Sequence, residues 1–194
     1  MAIRGSGVAA SETRDVPTFS GVTLAGAADV TVDVGGEQRV IVHADDNLLP
    51  TITTEVENGM LVVSQTEPVD AVTPPRIEVT APSLDTLRLS GAGDLTLEGH
   101  DLRRLDVSLT GAGTLRGSGS AERLDLMLSG AGDIDLEGLV AADVSAMLSG
   151  AGNIVVHATR SLDAKVSGVG TISYVGDPAE VQRAVMGPGA IVAR

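Results

Sequence analysis

Two sets of side chains in this 194-residue chain have the type and spacing to do chemistry, and both are rows of oxygens. The first follows a recurring glycine-rich tetrapeptide: Asp94, Thr114, Asp133, Asn153 and Thr171, with Asp29 after an earlier partial copy. Such a row could hold Ca²⁺, which takes roughly 6–8 oxygen ligands at about 2.3–2.6 Å. Asp94, Asp133 and Asn153 are the candidate ligands. On strands stacked about 4.8 Å apart, however, Asp94 and Asp133 would lie roughly 9.6 Å from each other. The intervening Thr and Asn relieve charge, because unit charges on adjacent strands repel by roughly 0.9 kcal/mol even in water. Asp and Asn also favour turns by themselves. The row therefore reads first as a structural turn ladder.

The second row is Asp106, Asp125 and Asp163, with Ser145 among them. Paired carboxylates can serve as acid and base in polysaccharide cleavage, but they need a partner base or Arg and a groove built by long loops. The coils described below are short and nearly loop-free, so a solvated face is the expectation. His43, His100 and His157 fall in no common column and form neither a triad nor a zinc set. The absence of Cys excludes disulfides, thiolate metal sites and a Cys nucleophile. No catalytic residue and no cofactor is expected.

A third feature is apolar. Arg88, Ser108, Met127, Met147, Lys165 and Ala184 occupy one outward position in successive coils. Met127 and Met147 should sit on adjacent strands and face out, and Val155 should face out between Asp135 and Ser173. An exposed Met pair is an adaptable contact surface. It could meet a partner or a second copy, or lie beneath a terminal segment.

The elements that position these residues come from a repeat. Ser90-Gly91-Ala92-Gly93, Thr110-Gly111-Ala112-Gly113, Ser129-Gly130-Ala131-Gly132 and Ser149-Gly150-Ala151-Gly152 are followed by the decayed Ser167-Gly168-Val169-Gly170 and Met186-Gly187-Pro188-Gly189. The first glycines are 20, 19, 20, 18 and 19 residues apart, and Ala25-Gly26-Ala27-Ala28 is an outlier 65 residues earlier. A fixed period of this length marks a solenoid. Runs such as Leu105-Asp106-Val107-Ser108-Leu109 before the tetrapeptide and Asp133-Ile134-Asp135-Leu136 after it alternate with period two, so they are strands.

Stacking the coils aligns Leu89, Leu109, Leu128, Leu148, Val166 and Val185 in one interior column. Leu95, Leu115, Ile134, Ile154, Ile172 and Ile191 align in a second. Ala92, Ala112, Ala131 and Ala151 are expected to fill the tight inside of the corner. The flanking ladder Gly91, Gly93, Gly111, Gly113, Gly130, Gly132, Gly150, Gly152, Gly168 and Gly170 should supply backbone angles that a Cβ forbids. A second small-residue column, Gly99, Gly119, Gly138, Ala158 and Gly176, should close each coil. The fold class is all-β: a single-stranded parallel β-helix with coils of about 19–20 residues. It should be right-handed, by the general rule for parallel crossovers.

The N-terminal third breaks the period. Residues 29–44 alternate on both sides of Gly35-Gly36, and residues 51–64 on both sides of Asn58-Gly59; both read as antiparallel hairpins. The expected organisation is an arm over 1–20, a hairpin-containing β region over 21–82 and the β-helix over 83–194, together one continuous domain. Residues 178–185 break the alternation and read as a short helical turn over the last coil.

Composition narrows the function. Phe19 and Tyr174 are the only aromatics, so the core must be aliphatic and a glycan-stacking platform is disfavoured. A net charge of −13 argues against nucleic acid and against an electrostatic grip on anionic lipid. No run reaches the roughly 18 apolar residues of a membrane span. The opening Met1 to Gly7 has no apolar signal region.

Several blocks resemble one bacterial family, the putative auto-transporter adhesin, head GIN domain. They are Arg14-Asp15-Val16 with Phe19, Asp45 with Asn47-Leu48-Leu49-Pro50, and Glu55-Val56 with Asn58-Gly59-Met60-Leu61. They continue through the repeated Ser-Gly-Ala-Gly-Asp to Tyr174, Gly176, Pro178 and a final Gly-x-Gly-x-Ile. The chain departs from the pattern at Met186-Gly187-Pro188-Gly189. The resemblance implies a β-helical protein of the cell surface or envelope, its signal peptide removed and a lipid anchor upstream of this segment. The implied role is non-catalytic: a rigid surface for contact with an unknown protein or surface ligand. The alternatives are a self-assembling, homo-oligomeric scaffold and, further off, a polysaccharide-acting enzyme.

Overall fold

A computed structural model describes residues 2–194, and apart from one short 3₁₀ turn all their regular structure is strand. In chain order these are β1 (Ile3–Arg4), β2 (Ala9–Arg14), β3 (Gly21–Leu24), β4 (Asp29–Val34) and β5 (Arg39–Asp45). A 3₁₀ turn at Leu49–Thr51 precedes β6 (Ile52–Glu57), β7 (Met60–Gln65), β8 (Val69–Asp70) and β9 (Arg76–Ala81). The repeats form β10 (Thr86–Leu89), β11 (Leu95–Leu109), β12 (Thr114–Leu128), β13 (Asp133–Leu148) and β14 (Ala151–Val166). The last coils are β15 (Val169–Val175), β16 (Glu180–Val185) and β17 (Ala190–Ala193). No helix among the described residues is long and apolar enough to cross a membrane.

Two faces meet at the Gly-Ala-Gly corner. The face before the corner stacks β3, β10, the second halves of β11 to β14, and β16, all parallel. The face after it stacks β4, the first halves of β11 to β14, β15 and β17, also parallel. Both interior columns form in the expected register: Leu89 pairs with Leu109, Leu109 with Leu128, Leu115 with Ile134 and Ile134 with Ile154. From Leu89 to Val166 in the first column and Leu95 to Ile172 in the second, every member is buried. Each such Leu or Ile contributes roughly 1.5–3 kcal/mol.

The corner differs from expectation in two ways. Ala92, Ala112, Ala131 and Ala151 point outward to solvent, as does Val169. The corner glycines are required for a different reason than backbone angle, since Gly170 is the only one of the ladder with positive φ. A Cβ on Gly91, Gly111, Gly130, Gly150 or Gly168 would overlap the carbonyl oxygen of the matching glycine one coil below. Gly113, Gly132, Gly152 and Gly170 face the same obstacle, and Gly93 meets the carbonyl oxygen of Ala28. Those carbonyls are engaged: Ala112 N donates to Gly91 O at 3.0 Å, and Ala151 N to Gly130 O at 2.9 Å. The chain turns so tightly that one coil's Cα rests on the next coil's oxygen.

The column that closes each coil is less regular. Gly99 pairs with Gly119, but Gly138 pairs with Ser118, and Ala158 with Ala141. Register shifts fall at this bend, between Arg116 and Ser118 and between Leu136 and Val140. The bulges absorb the unequal coil lengths.

The outlying Ala25-Gly26-Ala27-Ala28 is a true corner. Ala92 N donates to Gly26 O at 3.1 Å, so the coil of β3 and β4 lies directly beneath that of β10 and β11. A further coil, β7 and β9, lies beneath β3 and β4. The stacking order therefore departs from chain order. This overturns the Gly35-Gly36 hairpin: β9 wedges between β4 and β5, parallel to the first and antiparallel to the second. The Asn58-Gly59 hairpin does form, with β6 antiparallel to β7 and positive φ at both turn residues. Residues 180–185 are a strand, β16, in place of the expected helical turn, because β14 offers a parallel edge that satisfies their backbone.

Candidate functional site

The oxygen row after the corner spends its acceptors on the stack itself. Asp94 Oδ1 accepts from Thr114 N at 3.1 Å, and Asp133 Oδ1 accepts from Asn153 N at 2.8 Å and Asn153 Nδ2 at 3.0 Å. Asp29 Oδ1 takes Asp94 N at 3.4 Å. Each carboxylate ties its coil to the next, which is the work of a turn ladder. Among the described residues, no three His, Asp or Glu side chains gather as a metal-binding group.

The acidic column forms in register, Asp106 beside Asp125, Asp125 beside Ser145 and Ser145 beside Asp163. Its carboxylates are held in ion pairs. Arg104 Nη2 bridges Asp106 at 3.0 Å and Asp125 at 3.1 Å, and Lys165 Nζ meets Asp163 at 2.8 Å. The hydrogen bond to Asp106 leads the effects that raise the Arg104 pKa. At the edge of the same face, Arg160 grips Asp143 through Nε at 2.8 Å and through Nη2. That hydrogen-bonded pair, with Ser161 Oγ at 2.8 Å, holds the Asp143 carboxyl well below the ordinary carboxylate range. A general acid needs the opposite shift. These pairs, invisible in the linear sequence, arise because residues two apart or one coil apart share a sheet face.

Met127 and Met147 are register partners, 47% and 40% exposed, with no segment laid over them. They form one wall of a trough of about 340 Å³ that runs across the strands. Thr86, Asp106, Asp125 and Ser145 form the other wall, Leu87, Val107 and Leu126 lie between, and Arg88 stands at one end. Arg88 makes no ion pair with any described carboxylate, nor does Arg123 beside the neighbouring groove, whereas Arg104, Arg160 and Lys165 all do. A second groove of about 270 Å³ shares Asp125 and Ser145 and continues towards Asp163 and Glu180. Val155 lies between Asp135 and Ser173 as expected, but on the other face and half-buried, so it does not extend the Met surface.

The three histidines lie on separate elements. His43 on β5 sits 3.6 Å from Glu78, and His100 and His157 are in different coils.

One feature escaped the sequence reading. Asp45 is fully buried, and its carboxylate accepts Val72 N at 2.8 Å and Thr73 N at 3.2 Å. Burial acts to raise its pKa, but hydrogen bonds from Thr73, Val72 and Gly7 outweigh it and leave the carboxyl below its usual value. An Asp just after an apolar strand run looks like any turn residue, so nothing local marks it.

Comparison with known proteins is consistent with this architecture. No functionally curated protein matches the sequence. The fold matches a crystal structure of a putative adhesin from Bacteroides fragilis, with 24% identity, both chains covered in full and a TM-score of 0.81. It also matches a putative lipid binding protein from Parabacteroides distasonis (21% identity, full coverage of both, TM-score 0.66) and a putative adhesin from the same species (22%, full coverage of both, TM-score 0.60). At these identities the likeness is one of fold. Residues 18–178 match the family described as putative auto-transporter adhesin, head GIN domain, and the chain belongs to that family.

Proposed function

We propose that this protein is a non-catalytic contact module of the bacterial cell surface or envelope, lipid-anchored upstream of this segment, and that it works through the trough walled by Met127 and Met147. The observation that carries the reading is the adjacent, uncovered Met pair on a rigid sheet, set beside Arg88, a cation with no ion-pair partner among the described residues. Soft thioethers adapt to varied apolar partners, and a stiff stack beneath them costs little ordering on binding. The ion-paired carboxylates beside them favour polar rim contacts over acid–base chemistry. Family membership supports an adhesive role. A self-assembling scaffold is the second reading, favoured by the apolar side chains exposed on the last coil, Val181, Val185 and Val192.

The test is binding of the purified chain to arrays of extracellular matrix proteins and glycans, with the Met127→Ser/Met147→Ser double variant alongside. The expected result is a specific protein hit that weakens at least about tenfold in the variant. A hit unchanged by the double substitution would move the contact to another face, and an array with no hit would favour the scaffold.

A further inference from the structure

The N-terminal arm is held largely through its backbone, helped by Arg14 Nη2, which donates to Leu49 O at 2.8 Å, and by Ile3 and Ala10 packed on the core. β2 pairs with β5 alone, antiparallel, from Ala9 opposite Asp45 to Arg14 opposite Val40. Only Ala10 and Arg14 of that strand are even half-buried. Upstream, β1 pairs with β8, Gly5 N donates to Asp70 O at 2.8 Å, and Asp46 N donates to Val8 O at 2.9 Å. Asn47 clamps the arm from both sides, its Oδ1 accepting Ser6 N and its Nδ2 donating to Arg4 O, each at 2.9 Å. The Ser6 hydroxyl bonds the Asp46 carboxylate.

The receiving surface is selective and is built from other parts of the chain. Asp45 fixes the 72–73 loop by its own bonds to Val72 and Thr73. A Cβ on Gly5 would overlap the Asp45 carboxylate, so only glycine passes there. β5 is anchored on its far side by β9, and Val40, Val42 and Ala44 are fully buried. Between the arm and the core lies a short connection, residues 15–18, containing Pro17 and followed by the buried Phe19.

We infer that β5, the Asp46-Asn47 turn and β8 form a strand-acceptor site that takes the arm of a second copy of this chain in place of its own. Every contact that recognises residues 3–14 in one chain is available, unchanged, to the same residues of another. Arm exchange redirects residues 15–18 and gives up the bonds from Gln38 Nε2 to Val16 O and Pro17 O, while Phe19 and Ser20 keep their places in the coils. Such exchange of an identical element is a low-cost route to a closed pair. The arm's own tether favours the single chain when dilute, and a high local concentration shifts the balance to the pair. A second copy is the fitting occupant because the site reads a glycine followed by a hydroxyl, and Gly5-Ser6 supplies both. Exchange would join two Met troughs in one particle.

The chain has no native thiol, so single introduced cysteines report position cleanly. Thr13 and Ile41 are register partners across the β2–β5 ladder. Thr13→Cys protein and Ile41→Cys protein are mixed at high concentration, warmed short of unfolding, cooled and treated with a short bismaleimide. The expected product is a two-chain species linked from position 13 to position 41. Its yield should fall at least about fivefold when Gly5→Val is added to the first protein, or Asn47→Ala to the second. Circular dichroism establishes that both added variants keep the β fold. Absence of the 13–41 link overturns the inference, and so does a link whose yield neither variant lowers.

Discussion

β6 and β16 close the same face of the stack at its two ends, by different means. β6 runs antiparallel to the coils, and on the other face β5 does likewise, with β2 laid antiparallel along its outer edge. The outward edges there carry Glu55 and Glu57 on β6 and Glu12 on β2. At the C-terminal end β16 and β17 continue the coil in register and then stop. Val181 and Val185, which continue interior columns, are 37% and 48% exposed. One device blunts this edge. Arg183 continues the inward column of Ala164 and lies over the Tyr174 ring, 5.1 Å from its centroid. An unpaired strand edge invites another chain. The N-terminal end answers with a polar antiparallel cap, and the C-terminal end answers with a single inward charge. Stability should follow the same division, greatest where a coil has neighbours above and below.

The largest contrast should come from the corner glycines. In Gly111→Val the new side chain meets a backbone carbonyl in a coil confined on both sides. The expected loss exceeds about 3 kcal/mol. Gly187 lies in the last described coil, where an added Cβ would be 2.7 Å from Ser167 O and no described strand stacks above. Gly187→Ala should cost less than about 1.5 kcal/mol. Urea denaturation of the two variants measures the difference, and equal losses would refute the idea that confinement sets the cost.

A smaller contrast is expected within one interior column. Leu128 is fully buried and Val185 is half-exposed. Leu128→Ala should destabilise by about 2–5 kcal/mol and Val185→Ala by less than about 1 kcal/mol. Comparable midpoint shifts would mean that the open end is covered in solution.

The smallest effect is a pH response that begins at the capped end. The folded Asp45 carboxyl titrates below its usual value. Its contribution is therefore complete above about pH 4 and is lost as pH falls further, through the folded pKa. Hydrogen exchange should show protection of the Val72 and Thr73 amides weakening below about pH 4, before that of β12 and β13. Simultaneous loss in both regions would remove Asp45 as the local cause. Asp45→Asn should flatten the response.

Much of the coil geometry was legible without coordinates. Period-two alternation identifies which residues of Leu124 to Leu128 face inward. The glycine spacing aligns Met127 with Met147 and Asp106 with Asp125, and both pairings form. The corner was read only in part. Its glycines stood out, but the reason for them is a neighbouring coil's oxygen, and no local rule shows that. The Ala between them faces solvent because the two glycines, not the Ala, occupy the crowded positions. Gly35-Gly36 misled because a hairpin signal describes only its flanking strands, whereas β9, some 40 residues on, competes for the same edge of β4 and wins.

The sequence by itself determined the solenoid, the facing of each strand residue, the two aliphatic columns and the position of the Met pair. These follow from short-range alternation and a repeat of constant length, which any stacking of the coils must respect. Tertiary structure alone decided that residues 60–81 lie beneath residues 21–34. It alone decided that Asp45 is buried against a loop and that Arg104 bridges two carboxylates while Arg88 meets none of those described. Each depends on segments far apart in the chain meeting at one edge, and such meetings are settled by backbone hydrogen bonding and burial across the whole stack.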